Sequence, residues 1–133
     1  MDVTTLTVLR YTVNYEPMVD FYRQTLGMEV VESWDRPDGK GSVFAPRGSV
    51  ANATIEVLEL GDVCVPGVAP VNVVLDLFVD DARAEHDRLV EAGVPIARGL
   101  EDASWGHRSF GLDDPDGLRV WIIEVLDPPI SNG

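Results

Sequence analysis

The residues able to do chemistry in this chain are few and scattered. Among 133 residues there are two histidines, one cysteine and one lysine. Glu56 stands in an alternating stretch, residues 53–60, that puts Ile55, Val57 and Glu59 on one side and Glu56, Leu58 and Leu60 on the other. A carboxylate so placed can serve as a base or as one ligand of a metal, but either use needs partners. His107 follows Trp105-Gly106 at the entrance of an apolar run, where it can titrate near neutral pH beside a ligand or simply decorate a loop. His86 falls within the charged helical pattern Ala84-Glu-His-Asp-Arg88 and reads as solvated. Lys40 sits in the turn cluster 37–41, which disfavours a Schiff-base role, and Cys64, in Val63-Cys-Val-Pro66 with no histidine near it, reads as structural. The other chemical resource is aromatic. Trp34, Phe44, Trp105, Phe110 and Trp121 lie on or beside predicted strands, and such rings either stack on planar or cationic groups or fill a core.

The elements that must position these residues repeat. Residues 5–13 read as a strand. A helix follows, with Asn14 at its N-cap, Pro17 in its first turn, an apolar stripe of Val19, Phe21, Tyr22 and Leu26, and Gly27 at its C-terminal end. Strands are predicted over 29–35, 42–46 and 53–60. Residues 61–70, with two prolines and two glycines, have a linker's composition. The order then recurs: an apolar strand over 71–79, a helix capped by Asp80-Asp81 with Leu89, Val90 and Ala92 on its buried face and Gly93 closing it, then strands over 96–100, 109–112 and 118–126. Asp114-Pro115-Asp116-Gly117 joins the last two. Asp can bond the backbone two residues on, Pro presets φ, and Gly accepts a positive φ. The fold class expected is α+β: two βαβββ modules, residues 1–66 and 67–133, forming a curved, largely antiparallel sheet around a cleft with the helices outside.

Charge narrows the partners. With 23 acidic against 10 basic residues the formal net charge is −13, which disfavours nucleic acid and anionic membranes and favours cations. The sequence has no apolar run of roughly 18 residues and no signal-peptide pattern, so the cytoplasm is the expected compartment.

In this order and at this spacing, Phe21-Tyr-Arg-Gln-Thr-Leu-Gly27, Val79-Asp-Asp81, Trp105-Gly106 and Asp114-Pro-Asp-Gly117 resemble the vicinal oxygen chelate superfamily, which includes glyoxalase I, extradiol dioxygenases and bleomycin-resistance proteins. The resemblance implies paired βαβββ modules, often in homodimers, with modules swapped between chains in some members. In catalytic members it implies one divalent metal held by side chains from the first and last strands of each module, acting as a Lewis acid on a chelated substrate. Those positions fall at Thr7, Glu56, Val74 and Trp121 here, so only Glu56 keeps a metal-binding side chain. Asn72, Asp76 and Glu124 are the neighbouring residues that a shift of register would bring into question.

The expectation is therefore a metal-independent, cofactor-free protein of the glyoxalase/bleomycin-resistance type. It is expected to bind a planar or cationic antibiotic-like small molecule through Trp34, Phe44, Glu56, Leu58, Trp105, His107, Phe110, Trp121 and Ile123, as a homodimer in an antibiotic-resistance role. The competing expectation is a lyase, isomerase or dioxygenase of the same superfamily with an atypical site, using a metal or Glu56 as base with His107 as acid.

Overall fold

A computed structural model describes residues 1–48, 53–59 and 68–126. Cys64 and the 66/67 junction lie outside these. The chain divides into two compact units, Met1–Val68 and Ala69–Gly133, each taken by itself below. No helix among the described residues is long and apolar enough to cross a membrane.

The N-terminal unit contains β1 (Leu6–Thr12), α1 (Tyr15–Asp20) running into a π-helical turn (Phe21–Thr25), β2 (Glu29–Arg36), β3 (Gly39–Ala45) and β4 (Ala53–Glu59). The C-terminal unit repeats the order with β5 (Val74–Phe78), α2 (Ala82–Glu91), β6 (Arg98–Asp102), β7 (His107–Asp113) and β8 (Arg119–Val125). Each unit is a four-stranded sheet, ordered β1-β4-β3-β2 and β5-β8-β7-β6, in which only the first pair is parallel. That topology follows from the connections. Short turns join β2 to β3, β6 to β7 and β7 to β8, while β1 and β5 leave through a helix that crosses one face of the sheet. One face of each sheet is thus covered by its own helix, and among the described residues no other element of the same unit covers the opposite face.

Under α1, Met18, Tyr22, Phe44, Ile55 and Val57 are buried, with the Tyr22 and Phe44 ring centroids 6.0 Å apart. The Leu26 N–H donates to the Phe21 carbonyl and the Met28 N–H to the Tyr22 carbonyl, and Gly27 takes the left-handed φ of +70° that lets the chain leave the helix. Asn14 holds the N-cap position but makes no side-chain cap bond; its own N–H donates to Thr12 Oγ1. β3 begins earlier than the sequence pattern predicts, at Gly39, because Pro37-Asp38 alone makes the turn. Lys40 is therefore a ladder residue paired with Asp35, its Nζ 3.4 Å from Glu16 Oε1 and 6.0 Å from the Tyr15 ring centre.

α2 is capped twice. The Asp81 side chain accepts from the Ala84 N–H, and Glu124 Oε1, from β8, accepts from the Ala82 N–H at 3.0 Å. Its C-terminus closes with Gly93 N–H donating to the Val90 carbonyl and Val94 N–H to that of Leu89, around Gly93 at φ +80°. The buried face differs from the expected one. Ala82 and Leu89 are buried with Glu85 and His86 half-buried between them, while Val90 and Ala92 point outward. His86 is thus not the solvated residue its charged neighbours suggested: its ring meets Phe110 edge-on at 5.3 Å.

At the β7–β8 turn Asp114 is nearly fully buried, and its Oδ1 accepts from the N–H groups of Asp116 and Leu118, both at 2.9 Å. Gly117 donates back to the Asp114 carbonyl at φ +88°. This turn fixes the register of β8 on β7, and with it which side chains share a face.

Candidate functional site

On the uncovered face of the N-terminal sheet, register places Thr7, Leu9 and Tyr11 beside Thr54, Glu56 and Leu58, then Gly41 and Val43, then Trp34. Thr7 and Thr54 share a hydroxyl–hydroxyl hydrogen bond of 2.8 Å. Trp34 lies flat on the ladder because Gly41 has no side chain. A methyl there would stand 2.7 Å from Trp34 Nε1 and overlap Cζ2 and Cε2. The Arg36 guanidinium lies 5.2 Å from the Trp34 ring centre. Glu56 and Leu58 therefore share the open face with Trp34. Phe44 does not: it is fully buried on the helix side, against Tyr22.

The uncovered face of the C-terminal sheet carries Val74, Asp76 and Phe78 from β5, then Arg119, Trp121 and Ile123 from β8, then His107, Ser109 and Gly111 from β7, with Arg98 from β6. Trp121 rests against Gly111, where a methyl would lie 2.8 Å from its Cζ3. The guanidinium carbons of Arg98 and Arg119 lie 4.6 and 4.8 Å from the Trp121 ring centre. Arg98 donates to Ser109 Oγ at 2.6 Å and pairs with Glu101 at 3.1 Å; Arg119 donates to Asp113 at 2.6 Å. Planar guanidinium against an indole face is a favourable contact. Phe110, like Phe44, belongs to the opposite, helix-covered face and is fully buried there. Both phenylalanines are core, and neither lines the surface on which Trp34 or Trp121 lies.

His107 sits at the start of β7 with its ring edge-on to Phe78 at 6.0 Å and to Trp105 at 6.4 Å. Trp105, in the turn before it, is 69% exposed. Beside this trio a cleft of about 290 Å³ is lined by Phe78, Val79, Asp80, Glu124 and Val125. Glu124 lies on the helix-covered side and is committed to capping α2. Asn72 precedes β5, at a left-handed φ of 60°. Asp76, the ladder partner of Trp121, is exposed.

These side chains do not suit a divalent ion. Val74 has no donor atom, and the indole nitrogen of Trp121 carries a proton and offers no lone pair. Two guanidinium groups beside Trp121 also put positive charge where a metal's last ligand would stand. Among the described residues, no three His, Cys, Asp or Glu side chains gather as a metal-ligand group.

Sequence alternation placed Trp121 and Ile123 together but missed the two arginines. Arg119 was recoverable, being two residues before Trp121 on the same strand. Arg98 was not, because the β6–β7 pairing slips between Arg98 and Glu101.

Comparison with known proteins agrees with this architecture. The family model described as Glyoxalase/Bleomycin resistance protein/Dioxygenase superfamily matches residues 5–122. Among solved structures, a member of that superfamily from Sphaerobacter thermophilus DSM 20745 is 25% identical with a TM-score of 0.73, the match covering 93% of this chain and 98% of that one. A glyoxalase/bleomycin resistance protein from Streptomyces sp. CB03234 is 26% identical, with a TM-score of 0.66 over 89% of this chain and 97% of that one. TnmS3, an antibiotic binding protein from the same Streptomyces, is 23% identical, with a TM-score of 0.71 over 94% and 98%. Among curated proteins, none matches the chain.

Proposed function

The chain belongs to the Glyoxalase/Bleomycin resistance protein/Dioxygenase superfamily, and from that premise we propose that it is a binding member: a metal-independent protein that sequesters a planar, antibiotic-like small molecule, acting as a cytoplasmic homodimer. The observation that carries this reading is Trp121. At the ladder position where catalytic relatives are expected to hold their last metal ligand, this chain presents an indole packed against Gly111 and flanked by Arg98 and Arg119. An aromatic platform of this kind supports stacking and offers nothing to a metal. Trp34 on Gly41 gives the N-terminal sheet a second flat ring, with Glu56 on the same face.

Of the planar and cationic ligands weighed from the sequence, the planar one is favoured at Trp121, since a cation there would meet two guanidinium groups. The antibiotic-binding character of TnmS3 is carried here as analogy, because its 23% identity establishes a shared fold only.

Thermal shift and tryptophan fluorescence with a panel of flat three- and four-ring arenes test the reading. Binding is expected to raise the melting temperature, to quench emission, and to be unchanged by EDTA. Trp121→Ala should weaken it about fivefold or more, in line with a lost stacking contact of about 1–3 kcal/mol. Binding that appears only when Zn, Ni, Fe or Mn is added would overturn the proposal.

A further inference from the structure

We infer that Arg98 and Arg119 select the charge of the ligand: the open face of the C-terminal sheet takes a flat arene bearing an acidic oxygen, a carboxylate or ionised phenol, in preference to a flat cation. This rests on the binding function proposed above and adds the ligand's charge class to it. The argument starts from how the two guanidinium groups are held. Both are inner members of their ion pairs. The side chains of Arg98 and Arg119 are 28% and 32% exposed, whereas those of their partners Glu101 and Asp113 are 71% and 45% exposed. Both guanidinium groups are held against the Trp121 ring, and Arg98 also donates to Ser109 Oγ.

Their carboxylates stand toward solvent, where such a pair contributes little. An oxyanion on a ligand stacked beside Trp121 can therefore take the place of Glu101 or Asp113 at small cost and gain a planar, two-pronged hydrogen-bond donor already in position. Asp76, next to Trp121 on β5, opposes an anion at Arg119 on the adjoining β8, whereas Arg98 lies at the other edge of the sheet in the order β5-β8-β7-β6, so Arg98 carries the larger share of the preference. The net charge of −13 also repels anions, yet that field is screened beyond about 8–10 Å in physiological salt, so contact charges decide.

The test uses the full chain and three three-ring arenes at pH 7: anthracene-9-carboxylate, cationic 9-aminoacridine and an uncharged anthracene alcohol. The wild type is expected to bind the carboxylate about tenfold more tightly than the aminoacridine, the scale of one charge-assisted hydrogen bond. Arg98→Gln and Arg119→Gln should each weaken carboxylate binding about tenfold more than they weaken binding of the uncharged arene. Arg98→Lys keeps the charge and should retain part of the preference, which also covers the case in which Arg98→Gln does not fold. Arg23→Gln, at an exposed helical pair with Asp20, is the control and should change nothing. Equal affinity for the two charged arenes, or a preference indifferent to both glutamine variants, overturns the inference while the uncharged arene's binding keeps the proposed function standing. Failure of all three arenes to bind removes both.

Discussion

Replacing Gly41 by alanine isolates the contact that lets Trp34 lie on the sheet. Gly41 does not have a left-handed φ, so its backbone accepts alanine, and loss of unfolded-state freedom alone would stabilise the variant by about 0.4–1 kcal/mol. Against this stands the ring. The new methyl would sit 2.7 Å from Trp34 Nε1 and overlap Cζ2 and Cε2, so the indole must withdraw by roughly 1.5 Å to regain ordinary contact. Overpacking of this order costs about 1–3 kcal/mol, and because Trp34 is half-buried with room to move outward the lower half of that range applies. The net expectation is a loss of about 1 kcal/mol, or about 4–8 °C in melting temperature for a small cooperative unit.

Gly99 supplies the control: it lies on β6, lacks a left-handed φ, and has nothing within 4 Å of where a methyl would go. Gly99→Ala should therefore be neutral or slightly stabilising. Calorimetry reads the stabilities, and the indole N–H cross-peak of Trp34 in a proton–nitrogen spectrum reads the ring. A Gly41→Ala protein that melts at or above wild type with that cross-peak unmoved would refute the packing argument. So would a Gly99→Ala protein as damaged as Gly41→Ala.

Two further outcomes follow from single residues. Asp114→Ala should lower stability in urea by about 2 kcal/mol or more, because it removes the acceptor of two backbone N–H groups and leaves that of Leu118 buried without it; Asp114→Asn should recover about half. The hydrogen bond from Arg108 holds the Asp102 carboxyl below its ordinary 3.8, the arginine's charge adding to the effect against the opposing pull of desolvation. A depressed carboxyl contributes stability that is present above the unfolded value and lost as pH falls through the folded one. Carboxyl NMR should accordingly place the Asp102 midpoint lower in the wild type than in Arg108→Gln, and an unchanged midpoint would count against the ion pair.

What the sequence revealed and what it hid separate along physical lines. The Asp114–Gly117 turn was legible because its whole mechanism is local, one carboxylate reaching two nearby N–H groups. Gly27 and Gly93 marked helix ends for the same reason. The buried face of α2 was misjudged because the half-buried residues between Ala82 and Leu89 are Glu85 and His86, polar types that hydropathy assigns to water. His86 is kept there by Phe110, a neighbour distant in sequence. Alternation showed that Glu56 and Leu58 share a face, and Trp121 and Ile123 another, but it could not say which face a helix covers. Phe44 and Phe110 were therefore grouped with the open-face residues although both lie under helices.

The placement of Trp121 depends on a chain of register that begins at that turn. Gly117 ends the reversal, the ladder then sets Trp121 opposite Gly111, and period-two geometry puts Arg119 on the same side. A ring as large as indole lies on a ladder only where its neighbour lacks a side chain, and glycine occurs at that point on β7. The N-terminal unit solves the same steric problem differently, with Gly41 on β3 receiving Trp34 from β2. In both units a β-strand glycine is the space that a tryptophan fills, so loss of either glycine should displace its ring without disturbing the helix-side core. A metal-binding carboxylate at position 121 would not need a bare neighbour. The glycine at 111 and the tryptophan at 121 therefore read as one unit, a ring whose flatness is set by the backbone beneath it and whose two neighbouring guanidinium groups are those of Arg98 and Arg119.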